Sequence, residues 1–425
     1  MRLYTVLFHL ALPLLVARLY WRSLRAPAYR QRIAERLGIF DGAPLPGGVW
    51  IHAVSVGEVQ AIEPLVRRLL KERPGLPITL TTTTPTGSER VRSLFGREVF
   101  HRYFPWDLPW AVRRFLHQVQ PSLLVMVETE IWPNLLEICH QQGIATLLAN
   151  GRLSERSARG YARLGGFSRR VFGRIGLVAA QSEADARRFI ELGVPAERVN
   201  VTGSIKFDLK IPASVQEQAQ VMKRRLGEGR PLWIAASTHE GEEEQVLDAH
   251  RQVLEKHPRA GLLLVPRHPE RFERVAALVR RRGFTLARRS RDNAADLADA
   301  QVFLVDTMGE LPLFLGVADL AFIGGSLVPV GGHNMLEAAA QGVPVVFGPQ
   351  MFNFAAISRL LLDEGAALQV SDRHGLGEAV ARLLGDAAER SRLGENGRRV
   401  VEQNRGALER LGELVDRQLE RPLIS

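Results

Sequence analysis

From Val49 onward, short runs rich in β-branched and aliphatic residues alternate with longer stretches in which apolar positions recur every three or four residues. Continuous apolar runs of that length are what strands buried on both faces require, and the longer periodicity is that of amphipathic helices. The alternation therefore predicts an α/β chain with parallel sheets. Strands are expected at 49–54, 77–82, 98–104, 122–128, 144–149, 176–180 and 199–203, then at 232–236, 261–266, 284–288, 302–305, 319–323, 343–347 and 367–370. Between the two sets, residues 206–230 are polar and lack strand character. The expected division is an apolar terminal segment at 1–21, one α/β domain at 22–205, a linker with a first helix at 206–230, and a second α/β domain at 231–425, with a cleft between the domains. No short-period repeat or low-complexity tract interrupts it.

The terminal segment departs from that pattern. "LYTVLFHLALPLLVARLY", residues 3 to 20, carries no Asp, Glu, Lys or Arg from Leu3 to Ala17. As a helix it would be roughly 27 Å long, slightly short of a bilayer core. Arginines follow at 22, 25, 30, 32 and 36, opposed by Glu35 alone. A cleaved signal peptide ending at "APA" (26–28) and a buried core helix are the competing readings. Arg18, Arg22 and Arg25 precede that cleavage site and weigh against the first. The expectation is a membrane anchor, spanning or half-embedded, with the main body on the cytoplasmic side.

Composition sharpens the picture in two ways. The formal net charge is +10, which points to an anionic partner: nucleic acid, a membrane or a phosphorylated substrate. Seven arginines lie between Arg152 and Arg174 against one acid, Glu155. Arg152, Arg156, Arg159 and Arg163 are three or four apart, so a helix would align them, either as a solvated face or as a site for anionic head groups. The single Cys139 forms no internal disulfide, consistent with a reducing compartment. No nucleic-acid-binding module or basic–aromatic surface is recognisable, so nucleic acid is not expected.

Candidate chemistry falls at strand ends. In "VWIHAVSVGEVQAIEPLV", residues 49 to 66, a strand leads through a glycine turn into a helix, with Glu58 at the join. Glu58 either complements the helix dipole or acts as a general base, its pKa raised beside Val54 and Val56. Glu128 and Glu130 end another strand and either bind an acceptor or cap the helix that follows. "LTTTTPTGSERV", residues 80 to 91, puts hydroxyls and a glycine at a third strand end. In the second half, Arg267 and His268 sit between Pro266 and Pro269, as an exposed basic turn or a phosphate site. Gly324-Gly325-Ser326 and then Gly331-Gly332 lead to His333 and Asn334; free N–H groups there suit a phosphate, Asn334 an N-cap, and Glu337 a ribose diol. "DTMGELPLFLG", residues 306 to 316, starts another helix where a pyrimidine or phosphate would rest. There is no Walker A loop, H-E-x-x-H or paired Cys, and His52, His239 and His333 are too scattered in sequence to nominate as metal ligands.

Taken together, "HAVSVGE", "TTTTPTGSERV", "ETEIWPN", "GSIKFD", "STHEGEE", "VPRHPERF", "DTMGELPLFLG", "FIGGSLVPVGGHNMLEAAAQGVPV" and "GPQMFNF" resemble the 3-deoxy-D-manno-octulosonic acid (Kdo) transferases, lipid A glycosyltransferases of Gram-negative bacteria. Co-linear over most of the chain, these stretches are far more specific than any one alone. The resemblance implies a GT-B fold, two Rossmann-like domains facing across a cleft, with an N-terminal membrane-associated helix. It implies an inverting transfer of Kdo from CMP-Kdo to a bisphosphorylated, acylated lipid A precursor (lipid IVA) at the cytoplasmic face of the inner membrane, in lipopolysaccharide core biosynthesis. It places the catalytic base on Glu58 and the cytidine nucleotide site on Pro266, Arg267 and His268, on Met308, Gly309 and Glu310, and on Asn334, Met335, Leu336 and Glu337. Acceptor contacts are expected from Glu128, Glu130, Arg152, Arg156 and Arg159, and neither metal nor other cofactor is expected. The family usually has Pro where this chain has Met335, which concerns local rigidity at the helix start. The competing functions are a GT-B lipid glycosyltransferase with a UDP-sugar donor and a sugar-nucleotide epimerase.

Overall fold

The computed structural model describes residues 1–24, 26–42, 44–226, 229–291 and 299–420, so Arg25 of the terminal arginine cluster lies outside the described residues. The first sheet contains β1 (Val49–His52), β2 (Ile78–Thr82), β3 (Phe100–Tyr103), β4 (Leu123–Val127), β5 (Ala145–Gly151), β6 (Leu177–Ala180) and β7 (Val199–Val201). The second contains β8 (Leu232–Thr238), β9 (Gly261–Pro266), β10 (Leu286–Arg288), β11 (Val302–Leu304), β12 (Leu320–Ile323), β13 (Val345–Phe347) and β14 (Ala367–Gln369). Every strand falls on an expected run, with ends differing by no more than two residues.

Both sheets are parallel throughout, with orders β3-β2-β1-β4-β5-β6-β7 and β10-β11-β9-β8-β12-β13-β14. The strands are buried on both faces, which is why they read as unbroken apolar runs. In β4, Leu123, Val125 and Val127 join one core and Leu124 and Met126 the other. A third core, around Trp233, Leu262 and Phe322, serves the second sheet. Parallel strands place all their C-terminal ends on one edge. In each sheet the strand order reverses at one point, between β1 and β4 and between β8 and β12. Loops at such a reversal diverge and leave a crevice, the usual ligand position in open α/β sheets.

The chain forms two compact units, Met1–Asp208 with Arg405–Ser425, and Leu209–Asn404. The expectation that the second domain runs to residue 425 is thereby corrected, residues 421–425 lying outside the described residues. The physical reason is a return of the last helix, Ala407–Leu419, to the first unit. Its Ala407, Leu411, Leu414 and Val415 are buried in the same core as Val59, Ile62 and Leu65 of the helix after β1. Each of the Leu and Val side chains contributes about 2 kcal/mol when withdrawn from water. The Asp208 carboxylate accepts from the N–H groups of Gly406 and Leu408, both at 2.6 Å. Asp416 meets Arg68 at 2.9 Å.

The apolar terminal segment is a helix, α1 (Arg2–Ser23), long and apolar enough to cross a membrane. The 206–230 stretch holds a short 3-10 turn ending at Phe207 and the helix Ala213–Arg225, with 227–228 outside the described residues.

Candidate functional site

In the first unit the polar groups gather at the C-terminal ends of β2, β1, β4 and β5, which are neighbours in the sheet. The helix after β1, α2 (Val56–Glu72), starts at Ser55, whose extended backbone and hydroxyl are those of an N-cap. Glu58, in its first turn, turns back on that cap. Its Oε1 accepts from the Ser55 hydroxyl at 2.9 Å and its Oε2 from the Val54 N–H at 2.7 Å. This is a variant of the capping box, so Glu58 does complement the helix start. Even so, burial pushes its pKa up to about 7; the Val54 and Ser55 hydrogen bonds oppose that shift, and the nearby charges of Glu128 and Glu130 add to it. A carboxyl that is half ionised near neutrality is suited to proton transfer.

Glu128 lies just past β4 with φ of 61°, a left-handed conformation that costs a non-glycine residue of order 1 kcal/mol. Its Oε1 pairs with Lys206 at 2.8 Å. Glu130 Oε2 accepts from the Trp132 indole N–H at 2.9 Å and lies 3.8 Å from His52 Nε2. His52 is fully buried; Nδ1 contacts the Thr81 hydroxyl at 3.0 Å and the ring stacks on Phe104. Neither glutamate caps the following helix, Pro133–Gln141. Asp107 does so, accepting from Asn134 N at 2.9 Å and Leu135 N at 2.8 Å, which removes one of the two roles expected for the acids. The hydroxyl row is likewise engaged internally: Thr81 accepts from the Trp50 indole, and Thr83 and Thr84 donate to the Val54 carbonyl.

The arginine face differs from expectation. Its helix is Glu155–Ala162, capped by Ser154, so Arg152 precedes it and cannot share a face with the others. The Arg152 carbonyl instead accepts the Thr129 hydroxyl. Arg156 and Arg159 are exposed on the helix, and Arg159 approaches Glu155 at 3.7 Å.

In the second unit the expected residues lie in loops after β11, β9 and β12, on either side of β8. Pro266 ends β9, and the Arg267 N–H bonds the Thr238 carbonyl at 3.0 Å. Arg267 is partly buried and has no ion-pair partner among the described residues, whereas the neighbouring Arg271 is held by buried Glu243 at 2.6 Å. His268 meets His239 edge-on, and His239 stacks on His333 with Nε2 atoms 2.7 Å apart. Residues 94 apart in sequence are thus direct partners. Burial, then the surrounding cationic side chains, holds both His239 and His333 down to about 4, so at neutral pH the pair is uncharged and one ring donates to the other.

One expectation for this unit is corrected. The N–H groups after β12 are not open to a phosphate, because the buried Glu242 carboxylate occupies them. It accepts from Gly325 N at 2.7 Å and from Ser326 N and Leu327 N, both at 3.0 Å, and also from His239 N at 3.2 Å. The Gly331 and Gly332 N–H groups turn inward to the Gly325 carbonyl. Gly331 has φ of 108°, a conformation that strains any side chain, and an added Cβ would meet the Asn353 amide nitrogen at 2.3 Å. The N–H groups of His333 and Asn334, by contrast, find no acceptor among the described residues. Asn334 Oδ1 accepts from Leu336 N at 3.1 Å and so caps the short helix Leu336–Ala340, although Met335, fully buried, occupies the capping position itself. Glu337 is mostly buried, its pKa raised by that burial and opposed by the Asn334 amide. Glu310 pairs with Arg289 at 2.8 Å, which lowers its pKa, while Gly309 adopts φ of 86° and Met308 is 59% exposed.

Lys206, His52, Glu242 and the His239–His333 pair carry no role in the sequence reading. "GSIKFD" and "STHEGEE" hold three of them, and conspicuous charge within those motifs was the available signal.

Two Rossmann-like units, each with polar groups at the reversal of its sheet, define the GT-B class of glycosyltransferase fold. Solved structures agree: the S. aureus MnaA–UDP co-structure matches 88% of this chain and 99% of its own, with a TM-score of 0.58 at 14% identity. A glycosyltransferase from Rickettsia africae matches 89% of this chain and 100% of its own, with a TM-score of 0.57 at 13% identity. The family model described as 3-deoxy-D-manno-octulosonic-acid transferase (kdotransferase) matches residues 31–209. A 3-deoxy-D-manno-octulosonic acid transferase of Haemophilus influenzae is 46% identical over 98% of both chains. Its counterpart in Bordetella pertussis is 37% identical over 96% of both. The chain belongs to the Kdo transferase family and is a glycosyltransferase.

Proposed function

We propose that this enzyme transfers Kdo from CMP-Kdo to the phosphorylated, acylated glucosamine disaccharide of the lipid A precursor, lipid IVA, with Glu58 as general base. The observation that carries the base assignment is a carboxyl with its pKa near 7 at the reversal point of the first sheet. Family membership supports Kdo as the sugar and lipopolysaccharide biosynthesis as the setting. It favours Kdo transfer over the epimerase and UDP-sugar readings, which the fold alone leaves open.

In this reading the acceptor hydroxyl loses its proton to Glu58 as its oxygen attacks the anomeric carbon of Kdo. The bond from that carbon to the phosphate oxygen breaks, the electron pair leaves with CMP, and configuration inverts. CMP is a good leaving group without protonation if its charge is met. Arg267, His268 and the N–H groups of His333 and Asn334 supply that, and Glu337 takes the ribose hydroxyls. Met308, Gly309, Glu310, Met335 and Leu336 complete the nucleotide surface. Glu128 and Glu130 sit where an acceptor sugar is held, and Arg152, Arg156 and Arg159 attract its phosphates. No metal or further cofactor takes part in the proposed step. The enzyme works at the cytoplasmic face of the inner membrane, where α1 and the arginines meet the acceptor.

The test is product analysis with CMP-Kdo and a tetra-acylated, bisphosphorylated precursor. The expected result is CMP release matched to a mass gain of whole Kdo units on the lipid. CMP-Kdo consumption without a lipid product, or equal transfer from a UDP-sugar, would overturn the reading.

A further inference from the structure

We infer that α1 lies in the plane of the membrane, along the surface of the first unit, and does not cross the bilayer. This rests on the membrane location proposed above and specifies its geometry. The first turn of α1 is fastened to the folded unit. The Tyr4 hydroxyl donates to Asp107 at 2.9 Å, the Thr5 hydroxyl donates to Asn134 at 2.8 Å, and the Tyr4 ring contacts Phe167. Asp107 and Asn134 are buried within that unit, where Asp107 caps the helix Pro133–Gln141. The far end of α1 leads back into the same unit. Ala26 N bonds the Arg22 carbonyl, Arg22 stacks on Tyr29, and Arg36 is buried with its guanidinium on the Thr83 carbonyl. From Tyr4 to Ser23 the helix is about 29 Å long, close to the full thickness of a bilayer core. Were α1 to cross, Tyr4 would stand on the opposite side from the body that holds it. Both ends therefore lie on one side.

The burial pattern along α1 supports the same geometry. Tyr4, Phe8, Ala11, Leu15, Leu19 and Ser23 are partly or fully buried and recur every three to four residues, forming one stripe. On the opposite side Leu3, Leu7, Leu10, Leu14 and Trp21 are 55–73% exposed. The helix is thus apolar all round and more exposed on one side, and it is held to the folded unit through Tyr4 and Thr5 in its first turn. A lipid surface is the occupant that the surroundings favour. Phe167, the ring partner of Tyr4, belongs to the helix Gly166–Phe172, which exposes Arg169 and Arg170, and Arg156, Arg159 and Arg163 are exposed nearby in sequence. An apolar helical stripe flanked by arginines fits the interface of a membrane rich in anionic lipid, with Trp21 and Tyr20 at head-group depth.

The test is sidedness of labelling in the full-length enzyme. Cys139 is fully buried and stays silent toward a membrane-impermeant maleimide. In-plane α1 predicts that Arg2→Cys, expressed in cells, is labelled at least tenfold more in inside-out vesicles than in intact spheroplasts. Labelling from the spheroplast exterior would overturn the in-plane geometry while leaving the membrane location intact. Recovery of the unaltered enzyme in the soluble fraction would overturn both. As a second readout, Leu10→Glu with Leu14→Glu should lower binding to phosphatidylglycerol–phosphatidylethanolamine vesicles at least tenfold, with the melting temperature unchanged because both sites are exposed. Unchanged vesicle binding would show that the exposed stripe does not face lipid.

Discussion

The two sheets share a parallel, seven-stranded plan, yet their C-terminal edges carry opposite chemistry. At the first, three carboxylates converge, and burial raises the pKa of Glu58 to about 7. At the second, Arg267, His268 and two histidines converge, and burial holds those two histidines down to about 4. One physical cause, desolvation of the charged form, acts in both places and leaves each group neutral more often than it would be in water. The residue type decides the outcome: a carboxyl becomes a proton acceptor working near neutrality, whereas a histidine pair becomes an uncharged hydrogen-bonding surface beside a fixed guanidinium. The scaffold gives position, and the loop residues give sign.

The sharpest way to break that contrast is Glu58→Ala. The expected result is a fall in kcat of about 10²–10⁴-fold, the range of general-base catalysis, with CMP affinity by calorimetry unchanged. Next in size is Glu242→Ala, which strands the N–H groups of Gly325, Ser326 and Leu327 in a buried loop. Differential scanning calorimetry should show a loss of about 1–3 kcal/mol for each buried donor left without an acceptor. Arg267→Ala removes a cation with no ion-pair partner among the described residues and should weaken CMP binding about 10–100-fold, as expected for a charge-assisted hydrogen bond, while leaving the rate at saturating donor closer to normal. An equal effect of Arg267→Ala and Glu58→Ala on CMP affinity would erase the division between the two edges. The smallest effect is on stability in acid. His239, His333 and the buried His250, also near 4, would each take up a proton near pH 6.5 when unfolded but resist it when folded. Falling pH therefore favours unfolding, and the stability these groups confer above pH 6.5 should be lost progressively down to about pH 4. His250→Asn should flatten that decline, as read from melting temperatures.

How much of this was legible beforehand follows from what each feature depends on. Every strand was visible, because a parallel strand covered on both faces must be apolar along its length. Glu58 was visible for a local reason: a strand end, a serine cap and a first-turn carboxylate all lie within ten residues of one another, although the expected glycine turn is in fact the connection Ala53–Ser55, with Gly57 already inside the helix. What was hidden depends on partners distant in sequence. Nothing around Ala407–Leu419 marks its return to Asp208 and α2, because that choice is made by partners 200 residues away at Asp208 and 348 residues away at Arg68. The glycines after β12 read as a phosphate cradle for sound reasons of backbone geometry, yet Glu242 fills it from 83 residues upstream. The same holds for Asp107, which took the capping role that Glu128 and Glu130 were equally placed to fill, and for His239 with His333.

The most direct test of the central claim is the pH dependence of kcat/KM with CMP-Kdo and lipid acceptor, for the unaltered enzyme and for Glu58→Gln. A base is active when deprotonated, so the account predicts a rate that rises about tenfold per pH unit below pH 7 and levels off above it, with that limb absent in the residual activity of Glu58→Gln. A limb near pH 7 that persists unchanged in Glu58→Gln would contradict it.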